Sequence, residues 1–183
     1  MTILKKIFDK KLQIQSKIKE KREELAASEF KNIFYLFKNF CNFDLTTKIN
    51  KTKKIKVLDF GCGDQYLKKE FANNFFEYYG VDINDANFEN EKINFKDNFF
   101  DIIISLAVLE HLKNPKIYIE EIKRLLKADG LLYLVTPNWS LSSRNFYDDP
   151  THVSPYTPKS LERLFNFYDF KNVQTLPGTR NKP

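Results

Sequence analysis

Apolar positions recur along this chain with two different periods. From Thr2 to about Phe43 they keep a helical spacing, with Ile3, Leu4, Ile7, Phe8, Ile14 and Ile18 on one stripe. Phe30, Ile33, Phe34, Phe37 and Phe40 mark a second stripe, as expected of amphipathic helix. Thr46 to Lys56 is a polar, Lys-rich linker. From Val57 onward the pattern changes to short, continuous apolar runs closed by turn residues, the signature of buried strands. Val57–Phe60 is the first, followed by Gly61-Cys62-Gly63-Asp64-Gln65 and a helix-compatible run, Tyr66–Phe71. Tyr78–Val81 is the second and ends at Asp82. Ile83 to Lys96 shows no convincing helix, Asp97-Asn98 reads as a turn, and Phe100–Ser105 is a fully buried strand. Pro115 suits the first turn of a helix through Ile117, Ile119, Ile122, Leu125 and Leu126. Asp129-Gly130 is expected to end that helix, with Gly130 as its left-handed cap. Leu131–Val135 is the next strand, stopped by Pro137. Trp139 to Tyr156 reads as a loop, Pro158–Phe167 as a short helix carrying Leu161, Leu164 and Phe165, and Lys171–Leu176 as a last, weaker strand. Strands alternating with helices predict a mostly parallel sheet covered on both faces.

Composition narrows the function classes. The 183 residues suit one domain with a single sizeable core. The net charge of +6 is uneven: residues 1–56 carry +9 and the remainder −3. Lys5, Lys6, Lys10, Lys11, Lys17, Lys19, Lys21 and Arg22 crowd the first helix. That distribution argues against a nucleic-acid groove over the whole protein, and no DNA partner is expected. A basic arm that meets phosphate, membrane or an acidic substrate is one reading of the helix. An amphipathic helix packed on the domain with a solvated basic face is the preferred one. Cys41 and Cys62 support neither a disulfide framework nor a zinc site. The start of the chain lacks a signal-peptide pattern, and the longest apolar stretch, Ile102 to Leu109, is too short for a transmembrane segment. A soluble cytoplasmic protein is the expectation.

In a parallel sheet of this kind, ligands bind beyond the C-terminal ends of the strands. That places Gly61, Gly63, Asp82, Ser105, Leu106, Pro137 and Asn138 around one crevice. Glycines after a strand let the backbone approach a ligand closely. Asp82 follows the glycine turn by about 20 residues, the spacing of a ribose-binding acid, and its carboxylate is an acceptor-only group. Asp59 is placed to hold the turn's backbone amides and to face a ligand's ammonium. Taken singly, the glycines read as an ordinary strand-end turn and Asp82 as a strand terminus; the pair at this spacing favours a nucleotide site.

At these residues the chain resembles the class I S-adenosylmethionine-dependent methyltransferases, from Val57 to about Phe170. Val57-Leu58-Asp59-Phe60-Gly61-Cys62-Gly63 looks like their first motif, and Gly80-Val81-Asp82 like their ribose-binding segment. Phe99–Ser105 and then Val108-Leu109-Glu110-His111-Leu112 are similar to their fourth strand and its exit. Glu121–Gly130 matches the helix and turn before their fifth strand. Five such segments in order make the resemblance specific. It implies a Rossmann-like, doubly wound fold, with residues 1–50 as a helical extension or lid and 51–183 as the cofactor-binding methyltransferase domain. The implied cofactor is S-adenosyl-L-methionine. Its methionine end would lie over Gly61, Cys62, Gly63 and Gln65 near Asp59, and its ribose on Asp82. Its adenine would sit near Ile83 and the backbone before Phe95, with Ser105 and Leu106 lining the pocket.

Three departures from the family pattern stand out. Gln65 occupies the place of a third glycine. The second helix and third strand are shortened or lost between Asp82 and Phe95, leaving Glu89 as a guess for the adenine contact. The chain stops after the sixth strand, so the expectation is either a truncated sequence or a sheet edge covered by a partner or by a second copy in a homo-oligomer.

The loop Asp148-Asp149-Pro150-Thr151-His152-Val153-Ser154-Pro155 resembles an Asp-Pro-x-His segment of small-molecule and saccharide methyltransferases. Histidine is the side chain that titrates near neutral pH, which makes His152 the candidate general base. A histidine that only ties the loop to itself is the equal alternative. Asn138, Trp139 and His152 are the candidate substrate contacts, and His111 is read as structural, closing a turn with Glu110. The spacing of Asp148, Asp149 and His152 is not diagnostic of metal, and none is expected.

A dinucleotide-dependent oxidoreductase would want a third glycine at Tyr66. The chain also lacks a P-loop Gly-Lys-Ser/Thr, the Asn/Asp-Pro-Pro-aromatic motif of exocyclic-amine DNA methyltransferases and the Pro-Cys of the cytosine-C5 type. The reading is therefore O-methylation of a small-molecule or saccharide acceptor. The alternatives are a non-catalytic or partner-dependent subunit of the same fold, and an RNA methyltransferase using the basic arm.

Overall fold

The computed structural model describes residues 3–41 and 53–177, with side chains at 16–39 and 53–177. The elements in order are helix α1 (Ile3–Cys41), strand β1 (Ile55–Phe60), helix α2 (Lys68–Phe71), strands β2 (Phe76–Val81) and β3 (Phe100–Leu106), helix α3 (Lys116–Leu125), strand β4 (Leu126–Val135), and helices α4 (Trp139–Ser142) and α5 (Pro158–Phe167). Two 3₁₀ turns, Leu109–His111 and Phe146–Asp148, lie between them. The four strands form one sheet in the order β2-β1-β3-β4 with every pairing parallel.

Strand periodicity divides the apolar side chains between two layers. Ile55 and Val57 of β1 and Ile102 and Ile104 of β3 pack with Ala26, Ile33 and Phe37 of α1, together with Leu67, Phe71 and Phe76. Leu58, Phe60, Phe100 and Ile103 point the other way, onto Tyr118, Ile119, Ile122 and Leu125 of α3 and Phe165 of α5. Helices thus cover both faces. Helix α2 has only four residues, too few to cover its face. The Phe-rich half of α1 fills the space, with Phe30 edge-on to Phe71 at 4.9 Å and Phe34 at 5.6 Å from Phe76. This half of the helix is core. Residues 16–25 are exposed, including Ile18 at 49 % and Leu25 at 50 %. The stripe residues Ile3 to Ile14, Phe40, and the linker from 42 to 52 lie outside the described side chains.

Between Asp82 and Phe99 the described chain forms no helix or strand, and Phe88 and Ile93 take the place of a crossover helix in the α3-side layer. Two expected features are corrected. Gly130 does not cap a helix: α3 ends at Leu125, Leu126 is already extended, and Gly130 lies within β4. Phe100 pairs with Leu126 but Ile102 with Leu131, so residues 127–130 bulge out of the ladder. A Cβ on Gly130 would stand 2.8 Å from Leu126 Cδ1, so close approach rather than a left-handed cap requires glycine there. Lys171–Leu176 forms no strand. Asp169 and Asn172 have φ of 59° and 54°, which breaks the extended backbone a strand needs, although Val173 still packs on the core.

Candidate active site

Strand β1 delivers its chain to a turn built on positive φ, with Gly61 at 90° and Gly63 at 50°. A Cβ at Gly61 would meet Val108 Cγ2 at 2.2 Å, whereas one at Gly63 would have nothing within 4 Å. Gly61 therefore locks the turn against the exit of β3, and Gly63 faces open space that a ligand can enter. The amides of Gly61 and Cys62 donate to Val81 O at 2.8 and 3.2 Å. That of Gly63 donates to Asp82 Oδ2 at 2.5 Å. Asp82 Oδ1 accepts from Ile83 N at 2.8 Å, and Asp82 N donates to Asp85 Oδ2 at 2.8 Å. Each Asp82 oxygen thus takes one backbone amide and keeps acceptor capacity for hydroxyls.

Asp59 is not the anchor of the turn amides expected of it; Val81 and Asp82 perform that task. Asp59 is 2 % exposed and accepts a hydrogen bond from the Tyr78 hydroxyl at 2.7 Å. Burial pushes its carboxyl up to about 6, against the Tyr78 hydrogen bond and helped by the nearby Asp82 charge. Asp59 makes no ion pair with a described residue. Burial and the charges of Asp59, Asp82 and Asp85 also push the Cys62 thiol up to about 11, so Cys62 packs as a small apolar group.

Gln65 holds the third-glycine place with φ of 58°. Its Oε1 accepts from Lys68 Nζ at 3.1 Å, and its Cδ lies 3.3 Å from where a Cβ on Gly80 would stand. Arg22 of α1 pairs with Asp64, and Glu23 with Lys69 at 3.3 Å. A cleft of about 540 Å³ runs between α1 and this turn, lined among others by Ile18, Arg22, Gln65 and Tyr66. Another of about 440 Å³ lies beyond β2, lined among others by Val81, Ala86, Ile93 and Phe95. Ile83 is 65 % exposed nearby. Glu89 is tied elsewhere, its Oε1 accepting from Asn114 N at 2.7 Å.

At the end of β3 the expected pocket residues part company. Ser105 is fully buried and shares a 2.8 Å hydrogen bond with the Tyr118 hydroxyl. Leu106 is half-buried on the α1 side of the sheet. Ala107 follows with φ of 54°, a left-handed backbone held by its amide donating to Val135 O at 2.9 Å.

Asn138 is engaged as well: Oδ1 caps α4 by accepting from Ser140 N at 3.0 Å, and Nδ2 donates to Pro177 O at 3.1 Å. Trp139 stands edge-on to Phe146 at 5.4 Å and to Tyr147 at 5.8 Å. His152 places Nδ1 2.8 Å from Phe146 O. Its ring lies 4.8 Å from that of His111. Val153 N and Ser154 N donate to Glu110 O at 2.8 and 3.0 Å, seating the loop on the turn after β3. Glu110 is 1 % exposed. Its Oε2 accepts from Thr136 Oγ1 at 2.9 Å, while Oε1 has no partner among the described residues. The meeting of Glu110, His111 and His152 was missed by sequence reasoning. His111 and Thr151 are 40 positions apart in the chain, and backbone hydrogen bonds, which leave no residue pattern, bring them together.

The first half of this site suits the nucleoside and amino-acid ends of S-adenosylmethionine. The space above Gly63 admits a ligand, the Asp82 oxygens retain acceptor capacity, and Asp59 is a buried acid with no cation paired to it among the described residues.

A family profile described as a methyltransferase domain matches residues 11–175. A ubiquinone biosynthesis O-methyltransferase from Pelagibacter ubique is 27% identical over 123 residues, covering 57% of this chain and 51% of its own length. One from Glaesserella parasuis is 34% identical over 107 residues, covering 45% of each. The chain thus spans about half the length of these curated relatives. Among solved structures, a SAM dependent methyltransferase from Archaeoglobus fulgidus superposes with a TM-score of 0.58 at 21% identity, over 82% of this chain and 69% of that one. That likeness is one of fold.

Proposed function

The chain belongs to the class I S-adenosylmethionine-dependent methyltransferases, and we propose that it O-methylates a small-molecule acceptor beside the loop that carries His152. The cofactor supplies a methyl group activated on a sulfonium. Gly61 and Gly63 shape the turn that admits it, Asp82 takes its ribose hydroxyls, and Asp59 faces its ammonium. Residues 1–50 are taken as the N-terminal extension, of which Ile18, Arg22, Glu23 and Ala26 of α1 line the α1-side cleft, and residues 51–183 as the methyltransferase domain. His152 accepts the proton of the acceptor hydroxyl.

The observation that carries this reading is the hydrogen bond between His152 Nδ1 and Phe146 O, at 2.8 Å. A carbonyl can only accept, so the proton sits on Nδ1 and Nε2 keeps the lone pair a base needs. Trp139, Phe146 and Tyr147 add an aromatic wall beside it, suited to a flat, partly apolar acceptor. The names of the two curated relatives favour a hydroxyl on a small molecule. A saccharide acceptor belongs to the same proposal and competes in the same test. The protein is taken to be cytoplasmic; no helix of the described residues is long and apolar enough to cross a membrane.

The test is methyl transfer from radiolabelled S-adenosylmethionine to a panel of phenols, catechols and saccharides, with products separated by chromatography. Label in a phenolic or saccharide ether supports the reading. Bound cofactor with no transfer to any member of the panel would favour a binding subunit instead.

A further inference from the structure

We propose that Glu110, His111 and His152 form a binding site for one divalent first-row transition ion, for which Zn²⁺ is the probe. One ligand atom from each of the three lies within 4.8 Å of the others. Neither ring is within ion-pairing distance of Glu110, the one histidine pair being His152 with Asp149 at 3.9 Å. Glu110 Oε1 is buried without a partner, although a buried carboxylate oxygen is costly to leave unsatisfied. Its neighbour Oε2 is held by Thr136, which fixes the carboxyl plane and leaves Oε1 as the free donor.

Each ring has an oxygen partner on Nδ1, the arrangement that orients metal-binding imidazoles. His152 Nδ1 meets Phe146 O at 2.8 Å. His111 Nδ1 meets Thr151 Oγ1 at 2.9 Å, and that hydroxyl donates to Asp149 Oδ1 at 2.5 Å. Nε2 is therefore the nitrogen each ring has left to offer. Two imidazole nitrogens and one carboxylate oxygen suit Zn²⁺ or a similar ion over Mg²⁺ or Ca²⁺, which prefer oxygen alone. Bonds of about 2.1 Å would bring the ligand atoms to about 3.4 Å from one another, so binding draws the three side chains together.

Three protein ligands leave a coordination position open. With the ion bound, an acceptor hydroxyl in that position would be acidified and release its proton to water, His152 serving as ligand; in the ion-free chain His152 is the base proposed above. This use rests on the O-methylation proposed above; ion binding does not.

The experiment titrates the full chain, freed of metal by chelator, with Zn²⁺ by calorimetry and with Co²⁺ by visible absorption. S-adenosylhomocysteine binding is measured alongside. The expected result is one ion per chain, Co²⁺ bands of a low-coordinate nitrogen and oxygen site, and at least a 100-fold loss of Zn²⁺ affinity in both His152→Ala and Glu110→Gln. His111→Gln gives a third variant if the buried Glu110 change unfolds the chain. Cofactor binding in the histidine variants stays at the wild-type level. Absence of a one-to-one ion, or an ion whose affinity ignores all three substitutions, overturns the proposal. S-adenosylhomocysteine binding without ion binding would overturn the metal site alone and leave the methyltransferase reading standing.

Discussion

Gly63 donates its backbone N–H to Asp82 Oδ2 across 2.5 Å, closing the turn after β1 onto the end of β2. The two halves of the proposed cofactor site are thereby joined by the protein itself. The second Asp82 oxygen is held by Ile83 N, so the carboxylate is oriented before a ligand arrives. Preorganisation of this kind lowers the cost of binding.

The contact between Gly61 and Val108 gives the first prediction. Gly61→Ala places a Cβ 2.2 Å from Val108 Cγ2 at a φ of 90°. Left-handed backbone costs a side chain about 1–2 kcal/mol, and overpacking adds about 1–3 kcal/mol. Urea denaturation is expected to show a loss in that combined range. Adding Val108→Ala removes the clash but not the strain. The double variant should therefore be more stable than the sum of the single losses by about 1–3 kcal/mol. Simple additivity would show that the two sites do not touch.

Asp59 links stability to pH in an unusual direction. Its carboxyl is raised from 3.8 to about 6 in the folded chain, so the folded state holds the proton more tightly than the unfolded one. Ionising Asp59 works against folding. Its contribution is absent below 3.8 and grows as pH rises to about 6. At pH 7 the cost is about 3 kcal/mol. Asp59→Asn should raise stability at pH 7 by up to that amount and flatten the pH profile of the unfolding midpoint between pH 4 and about 6. The same variant should bind S-adenosylmethionine more weakly, because the amide no longer offers a charge to the ammonium. A variant that loses stability at pH 7 would refute the assignment.

The proposed base His152 should separate chemistry from binding. For His152→Ala, turnover on an identified acceptor is expected to fall by about 10²–10⁴, while affinity for S-adenosylhomocysteine is unchanged. Equal loss of both would make His152 a structural clamp for its loop, through Phe146 O and the ring contacts with His111 and Phe146.

The strand exits were legible in the sequence wherever an apolar run ended in residues with special backbone needs. Val57–Phe60 followed by Gly61 and Gly63, and Val81 followed by Asp82, located the turn and its acid partner. The missing helix between Asp82 and Phe99 was legible from the absence of periodicity. Gly130 misled because a glycine after a helix usually supplies a left-handed cap; here the close approach of Leu126 requires it, a tertiary fact. Lys171–Leu176 misled because its spaced apolar residues suit a strand edge, while the backbone at Asn172 turns left-handed. The service of α1 as the cover that α2 is too short to provide could not be read from either helix alone. The Glu110, His111 and His152 cluster was least legible, since its seating depends on the amides of Val153 and Ser154 reaching Glu110 O.

The central claim is the cofactor site between the β1 turn and Asp82, and calorimetric titration of the wild type and Asp82→Ala with S-adenosylhomocysteine tests it most directly. One molecule should bind per wild-type chain, and Asp82→Ala should weaken binding by about 1.5–3 kcal/mol, the value of hydrogen bonds to a charged group. No heat with the wild type, or an affinity that Asp82→Ala leaves unchanged, would contradict the account.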